Sequence, residues 1–173
     1  MLIKTISHLR GHAIRFGGIS ADWLAYVASD TLTPPCKWAR PEGGTFTAGG
    51  QCPFSTGALD SLLDFVGSAG IELLFDLNEL VGRNCSQQGH KATQKPEWCG
   101  DEPAPWDTKP VLALLQHIAA RNKTGRPVPV GFELGNELFA PQHLPRSVAV
   151  NDIDTLGGVM QQVSAGQTAL VGT

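Results

Sequence analysis

Apolar positions along the chain switch between helical spacing and strand-like runs. Leu2, Ile3, Ile6 and Leu9 recur at helical spacing and predict a first helix, stopped at Gly11. His12–Phe16 reads as a buried strand ending in Gly17-Gly18. Leu59, Leu62, Leu63 and Val66 form a helical stripe closed by Gly67 and Gly70. Ile71–Leu77 is the next strand and ends at Asn78. Thr108 is placed to cap a helix with Pro110 in its first turn and Leu112, Leu115, Ile118 and Ala119 on its buried side. Val128–Leu134 predicts a third strand, running into Gly135-Asn136-Glu137. A last helix lies near Ile153–Val163, and Thr168–Val171 begins another strand. Residues 28–54 and 80–107 carry no periodicity and are expected to be irregular.

This order, αβαβαβα with a strand fragment after it, calls for an α/β fold in which a parallel sheet is covered by helices. A doubly wound sheet and a (β/α)8 barrel both fit it. Gly17-Gly18-Ile19-Ser20 lacks the spacing of a dinucleotide-binding turn. The long loops all follow strand C-termini, where barrel active sites are built, so the barrel is favoured. Strand parity then sorts the side chains. Ile14 and Phe16, Leu73, Phe75 and Leu77, and Phe132 and Leu134 suit a helix layer. The opposite faces carry Arg15, Asp76, Asn78, Glu133 and Glu137 into the barrel interior. Buried charges are costly unless paired, so Arg15 with Glu133, or with Asp76, is the expected pairing, and all three residues are read as structural. Glu137 stands apart, because a carboxylate at a strand end, after a glycine, meets the cleft.

Composition narrows the setting. The 173 residues hold 13 basic and 16 acidic side chains, for a net charge of -3, and give no electrostatic footprint for nucleic acid. No apolar run is long enough to cross a bilayer, and residues 1–6 lack the apolar core of a signal peptide. Cys36, Cys52, Cys85 and Cys99 make an even set that can pair in three ways, with Cys36–Cys52 and Cys85–Cys99 as the expected disulfides. Two glycosylation sequons begin at Asn84 and Asn122. Cysteines and sequons together point to an oxidising, secretory environment and hence to a true N-terminus upstream. Cys85, His90 and Cys99 match no standard zinc spacing; no metal and no cofactor are expected. Lys91 and Lys95 read as solvated, and Trp23, Trp38, Trp98 and Trp106 fall in or near strand-end loops, where Trp either stacks on sugars or anchors the loop.

Gly131-Phe132-Glu133-Leu134-Gly135-Asn136-Glu137-Leu138 resembles the fourth-strand motif of glycoside hydrolase family 79, the heparanase and plant heparanase-like β-glucuronidases. Arg15-Phe16-Gly17-Gly18 is similar to that family's second strand, and Phe75-Asp76-Leu77-Asn78-Glu79-Leu80 to its third, where Gly is commoner than Asp76. Cys36 and Cys52 flank an insertion like that of the plant members. The resemblance runs from about residue 2 to about 170. It implies that residues 1–173 are a fragment of a single glycoside hydrolase catalytic barrel. That fragment, a partial (β/α)8 TIM barrel, would hold about strands 2 to 4 and the start of strand 5. The first strand and the C-terminal half, with its nucleophile glutamate, would lie outside.

The resemblance further implies a retaining glycosidase with Glu137 as proton donor. Asn136 would hydrogen-bond the sugar 2-hydroxyl, and Gly17, Gly18 and Asn78 would line the pocket. Ile19 departs from the polar residue that members often place near the sugar. The expected partner is a glycan, glucuronide or glycosaminoglycan-like. The expected location is secreted, extracellular or membrane-associated, or lysosome- or vacuole-like. Because retaining chemistry needs two carboxyl groups about 5–5.5 Å apart, the chain alone is expected to be inactive. The alternative is a truncated, non-catalytic product that binds a carbohydrate or a partner.

Overall fold

The computed structural model describes residues 11–18, 21, 24–31, 38–39, 47–48, 52–79, 105–136, 145–163 and 169–170. Its main sheet has four parallel strands, β1 (Ala13–Phe16), β6 (Glu72–Leu77), β7 (Gly131–Leu134) and β8 (Ala169–Leu170), side by side in chain order. Helices α1 (Thr56–Ala69), α2 (Lys109–Lys123) and α3 (Arg146–Val163) form the crossovers that parallel pairing requires. The chain is therefore mixed α/β, and among the described strands the order shows no reversal of the kind that marks a doubly wound sheet. The predicted helix over residues 2–9 lies outside the described residues.

One face of the sheet is apolar, as strand parity requires. Leu73, Phe75 and Leu77 of β6 and Phe132 and Leu134 of β7 are buried against Leu59, Leu63 and Val66 of α1, Val111, Leu114, Leu115 and Ile118 of α2, and Leu156 and Val159 of α3. Burying each of these large side chains contributes about 1.5–3 kcal/mol before chain entropy is set against it. Trp106 belongs to this core, which gives it a packing role.

Five details correct the sequence reading. The stretch 28–54 is not wholly irregular. β2 (Leu24–Val27), just ahead of it, pairs in parallel with β5 (Cys52–Ser55), and β3 (Trp38–Ala39) pairs antiparallel with β4 (Thr47–Ala48). Gly67 lies inside α1; Gly70, at φ 67°, makes the left-handed stop and donates to Gly67 O. Thr108 sits at the start of α2 but its side chain caps nothing; Asp107 Oδ1 accepts from the Lys109 N–H at 3.1 Å instead. The last helix begins seven residues before Ile153, at Arg146, and the third strand starts only at Gly131.

The small parallel pair sits on the apolar face at one end of the sheet. Phe16 and Phe75 stack with centroids 5.4 Å apart, and Phe54 lies 5.7 Å from Phe16 and 6.0 Å from Phe75. Tyr26 meets Phe54 and Phe75 at 6.5 Å. The join at β5–α1 is tight. Ser55 caps α1 by accepting from Ala58 N–H at 3.1 Å. Gly57 has no room for a Cβ, which would stand 2.3 Å from the Asp30 carbonyl oxygen.

Candidate functional site

Parallel pairing puts the C-terminal ends of β1, β6 and β7 along one edge, where Gly17-Gly18, Asn78-Glu79 and Gly135-Asn136 follow one another across the sheet. Register sets Asp76 beside Glu133, while Arg15 lies one strand over, opposite Leu74. Side chains of one parity therefore converge on the face away from the helices.

The structure brings Arg15, Asp76 and Glu133 together. Arg15 Nη2 donates to Asp76 Oδ2 at 3.0 Å, and Arg15 Nε donates to Glu133 Oε2. Asp76 is fully buried and Glu133 nearly so, whereas the Arg15 side chain is 38% exposed. The guanidinium thus closes the trio from its open side. Its Nη2 also reaches Asn136 Oδ1 at 3.4 Å, joining the ion pair to the strand end of β7.

The two glycines after β1 have a physical reason to be there. A Cβ on Gly17 would stand 2.5 Å from Asp76 Cβ and 2.6 Å from its Oδ2, so only glycine leaves space for that carboxyl group. Gly18, at φ 86°, turns its N–H onto Asp76 Oδ2 at 3.1 Å. Burial pushes the Asp76 carboxyl up to about 6, and the charge of Glu133 pushes the same way; the Gly18 N–H and Arg15 oppose both. Asp76 Oδ1 is buried with no hydrogen-bond partner among the described residues.

Asn78 is buried, and its amide nitrogen donates to Leu24 O at 2.9 Å. Its backbone N–H donates to the Tyr26 hydroxyl at 2.7 Å. Both bonds tie β2 to the end of β6. Glu79, which sequence reasoning passed over, is a fully buried carboxyl next to Asn78. Its position directly after a predicted strand end was the available signal.

Glu137 lies outside the described residues, as do Cys36, Cys85, Cys99, Asn84, His90, Lys91 and Lys95. Cys52 is disulfide-bonded, with its partner outside the described residues. Asn122, the second sequon asparagine, is half-buried in the last turn of α2. Among the described residues no cluster of His, Cys, Asp and Glu is arranged to hold a metal, and no helix is long and apolar enough to cross a membrane.

A second charged cluster lies between α1 and α2. Buried Arg121 donates to Pro127 O at 2.7 Å and to Asp64 Oδ1, and lies 2.9 Å from Asp60 Oδ1. Arg126 reaches Asp64 at 2.8 Å, and His117 Nε2 pairs with Asp60 Oδ1 at 2.8 Å. These groups belong to the helical layer, not to the strand-end edge.

No curated protein matches the chain. The model of a protein family described as glycosyl hydrolase family 79, N-terminal domain, matches residues 1–169.

Proposed function

We propose, because the chain belongs to glycosyl hydrolase family 79, that it forms part of the catalytic barrel of a retaining β-glucuronidase or heparanase-like enzyme, with Glu137 as proton donor. The observation that carries this reading is the placement of Asn136 at the C-terminal end of β7, in hydrogen-bond reach of Arg15, one residue before Glu137. In a (β/α)8 barrel that edge holds the active site. Four parallel strands in chain order, with Arg15, Asp76 and Glu133 of β1, β6 and β7 gathered on the face away from the helices, are what one sector of such a barrel would present.

The chemistry follows from general requirements. A retaining glycosidase protonates the leaving oxygen with one carboxyl group and attacks the anomeric carbon with another, about 5–5.5 Å away. Glu137 is assigned the first role, returning as base to deprotonate water in the second half-reaction. Asn136 is assigned to the sugar 2-hydroxyl, a bond that strengthens as positive charge develops on the ring. Arg15, Glu133 and Asp76 hold the strand ends in register. Residues 1–173 supply a donor and no assigned nucleophile, so the isolated chain is expected not to turn over.

The glycan, glucuronide or glycosaminoglycan-like, and a secreted, extracellular or lysosome- or vacuole-like location belong to the same proposal. The disulfide at Cys52 and the sequon at Asn122 support the location. The test is hydrolysis of an aryl glucuronide by the full-length protein. Glu137→Gln should lower kcat/KM by at least about 100-fold, the usual scale of a lost general acid. Wild-type activity in that variant would remove Glu137 from the chemistry.

A further inference from the structure

Arg15 is held from two sides. Its Nε donates to Glu133 Oε2 and its Nη2 to Asp76 Oδ2 at 3.0 Å, and both acids are buried. Asp76 is itself fixed, by the space that Gly17 leaves and by the Gly18 N–H at 3.1 Å. The guanidinium therefore has little freedom to turn. Its Nη2, which carries two hydrogens, also reaches Asn136 Oδ1 at 3.4 Å. Asn136 is placed from the backbone side as well, since Gly135 precedes it at φ 69° and the Gly135 N–H donates to Leu77 O at 2.8 Å.

A guanidinium offers donors and no acceptor, whereas a primary amide has a donor end and an acceptor end. The Asn136 oxygen must then face Arg15, because the flipped amide would set N–H groups against N–H groups. The amide nitrogen is left on the side away from the ion pair. We propose that Arg15 is a positioning residue that fixes which end of the Asn136 amide a glycan meets. The strand-end edge then offers an N–H donor at Asn136 and selects a sugar with an oxygen acceptor at the position Asn136 meets. This rests on the reading of Asn136 as the partner of the sugar 2-hydroxyl.

In a joint X-ray and neutron structure of the full-length wild type, deuterium should appear on the Asn136 amide atom away from Arg15. Deuterium on the atom facing Arg15 overturns the inference. The ratio of kcat/KM for an aryl glucuronide to that for its 2-deoxy analogue isolates the 2-hydroxyl contact from the rest of catalysis. Arg15→Lys keeps the positive charge, but an ammonium cannot reproduce the fixed fork that serves three partners. It should lower the ratio on the order of 5-fold, the scale of one hydrogen bond. Asn136→Ala should lower it as much, with no further loss in the double variant. A role in stability alone would slow both substrates equally and leave the ratio where it was. An unchanged ratio in Arg15→Lys, beside a lowered one in Asn136→Ala, overturns the inference and leaves the proposed function standing. An unchanged ratio in Asn136→Ala removes the 2-hydroxyl from Asn136 in the proposed function, and the inference falls with it. Should Arg15→Lys not fold, the wild-type neutron map still decides.

Discussion

Among the described residues, two clusters of arginine and carboxylate side chains are arranged to opposite effect. On the strand-end edge, Arg15 is the one described cation that answers Asp76 and Glu133, and the acids are the buried partners. Between the helices, Arg121 and Arg126 answer Asp60 and Asp64, and the buried partner is the cation Arg121. Burial therefore dominates at Asp76 and raises its carboxyl to about 6, whereas the hydrogen bond from Arg121 dominates at Asp64 and lowers it. Where hidden acids outnumber the cation beside them, burial favours the protonated form of a carboxyl group. A cluster with matched charges and exposed acids only ties two helices together.

The largest effect should come from emptying the first cluster of its cation. Arg15→Ala leaves two buried carboxyl groups without an answering charge, and urea denaturation should show a loss of about 3 kcal/mol. A loss below about 1 kcal/mol would mean that the trio behaves like a surface pair. Next comes the pH dependence. Asp76 has its folded pKa raised above its unfolded value, so the folded state binds more protons between about pH 4 and pH 6. Stability should fall as pH rises through that window, on the order of 2 kcal/mol in all, and Asp76→Asn should flatten the slope. Asp64 works in the other direction: its lowered pKa contributes stability above the unfolded value that is lost on acidification. The smallest effect belongs here. Asp64→Asn should cost under about 1 kcal/mol and shrink further in salt, since half of the Asp64 side chain is exposed.

Strand parity alone made the two faces of the sheet legible. Leu73, Phe75, Leu77, Phe132 and Leu134 pack on the helices, and Arg15, Asp76 and Glu133 meet on the other side. Period-two alternation is a local property, and a buried face leaves no freedom in it. The β2–β5 pair escaped notice because Pro53 in β5 argues against a strand. Proline is tolerated there because β5 has one neighbour, β2. The cap on α2 was misplaced by one residue because Thr108 and Asp107 are both good caps, and only the backbone angles choose between them. The helix–helix brace was hidden for a different reason. Arg121 extends the apolar stripe of Leu114 and Ile118, and nothing in the sequence says that a cation at that place will be covered. Asn78 carried a signal with two meanings, a strand-end polar group, and the structure gives it the Leu24 carbonyl as its partner.

The contact between Gly17 and Asp76 makes two positions, 59 residues apart in the numbering, a single heritable unit. While residue 76 keeps a carboxyl side chain, no replacement at 17 can be accepted, because the first carbon of any side chain would overlap it. The order of change is thereby constrained. Residue 76 must shrink before residue 17 can grow, and a lineage that holds Asp76 is barred from exploring the other position by single steps.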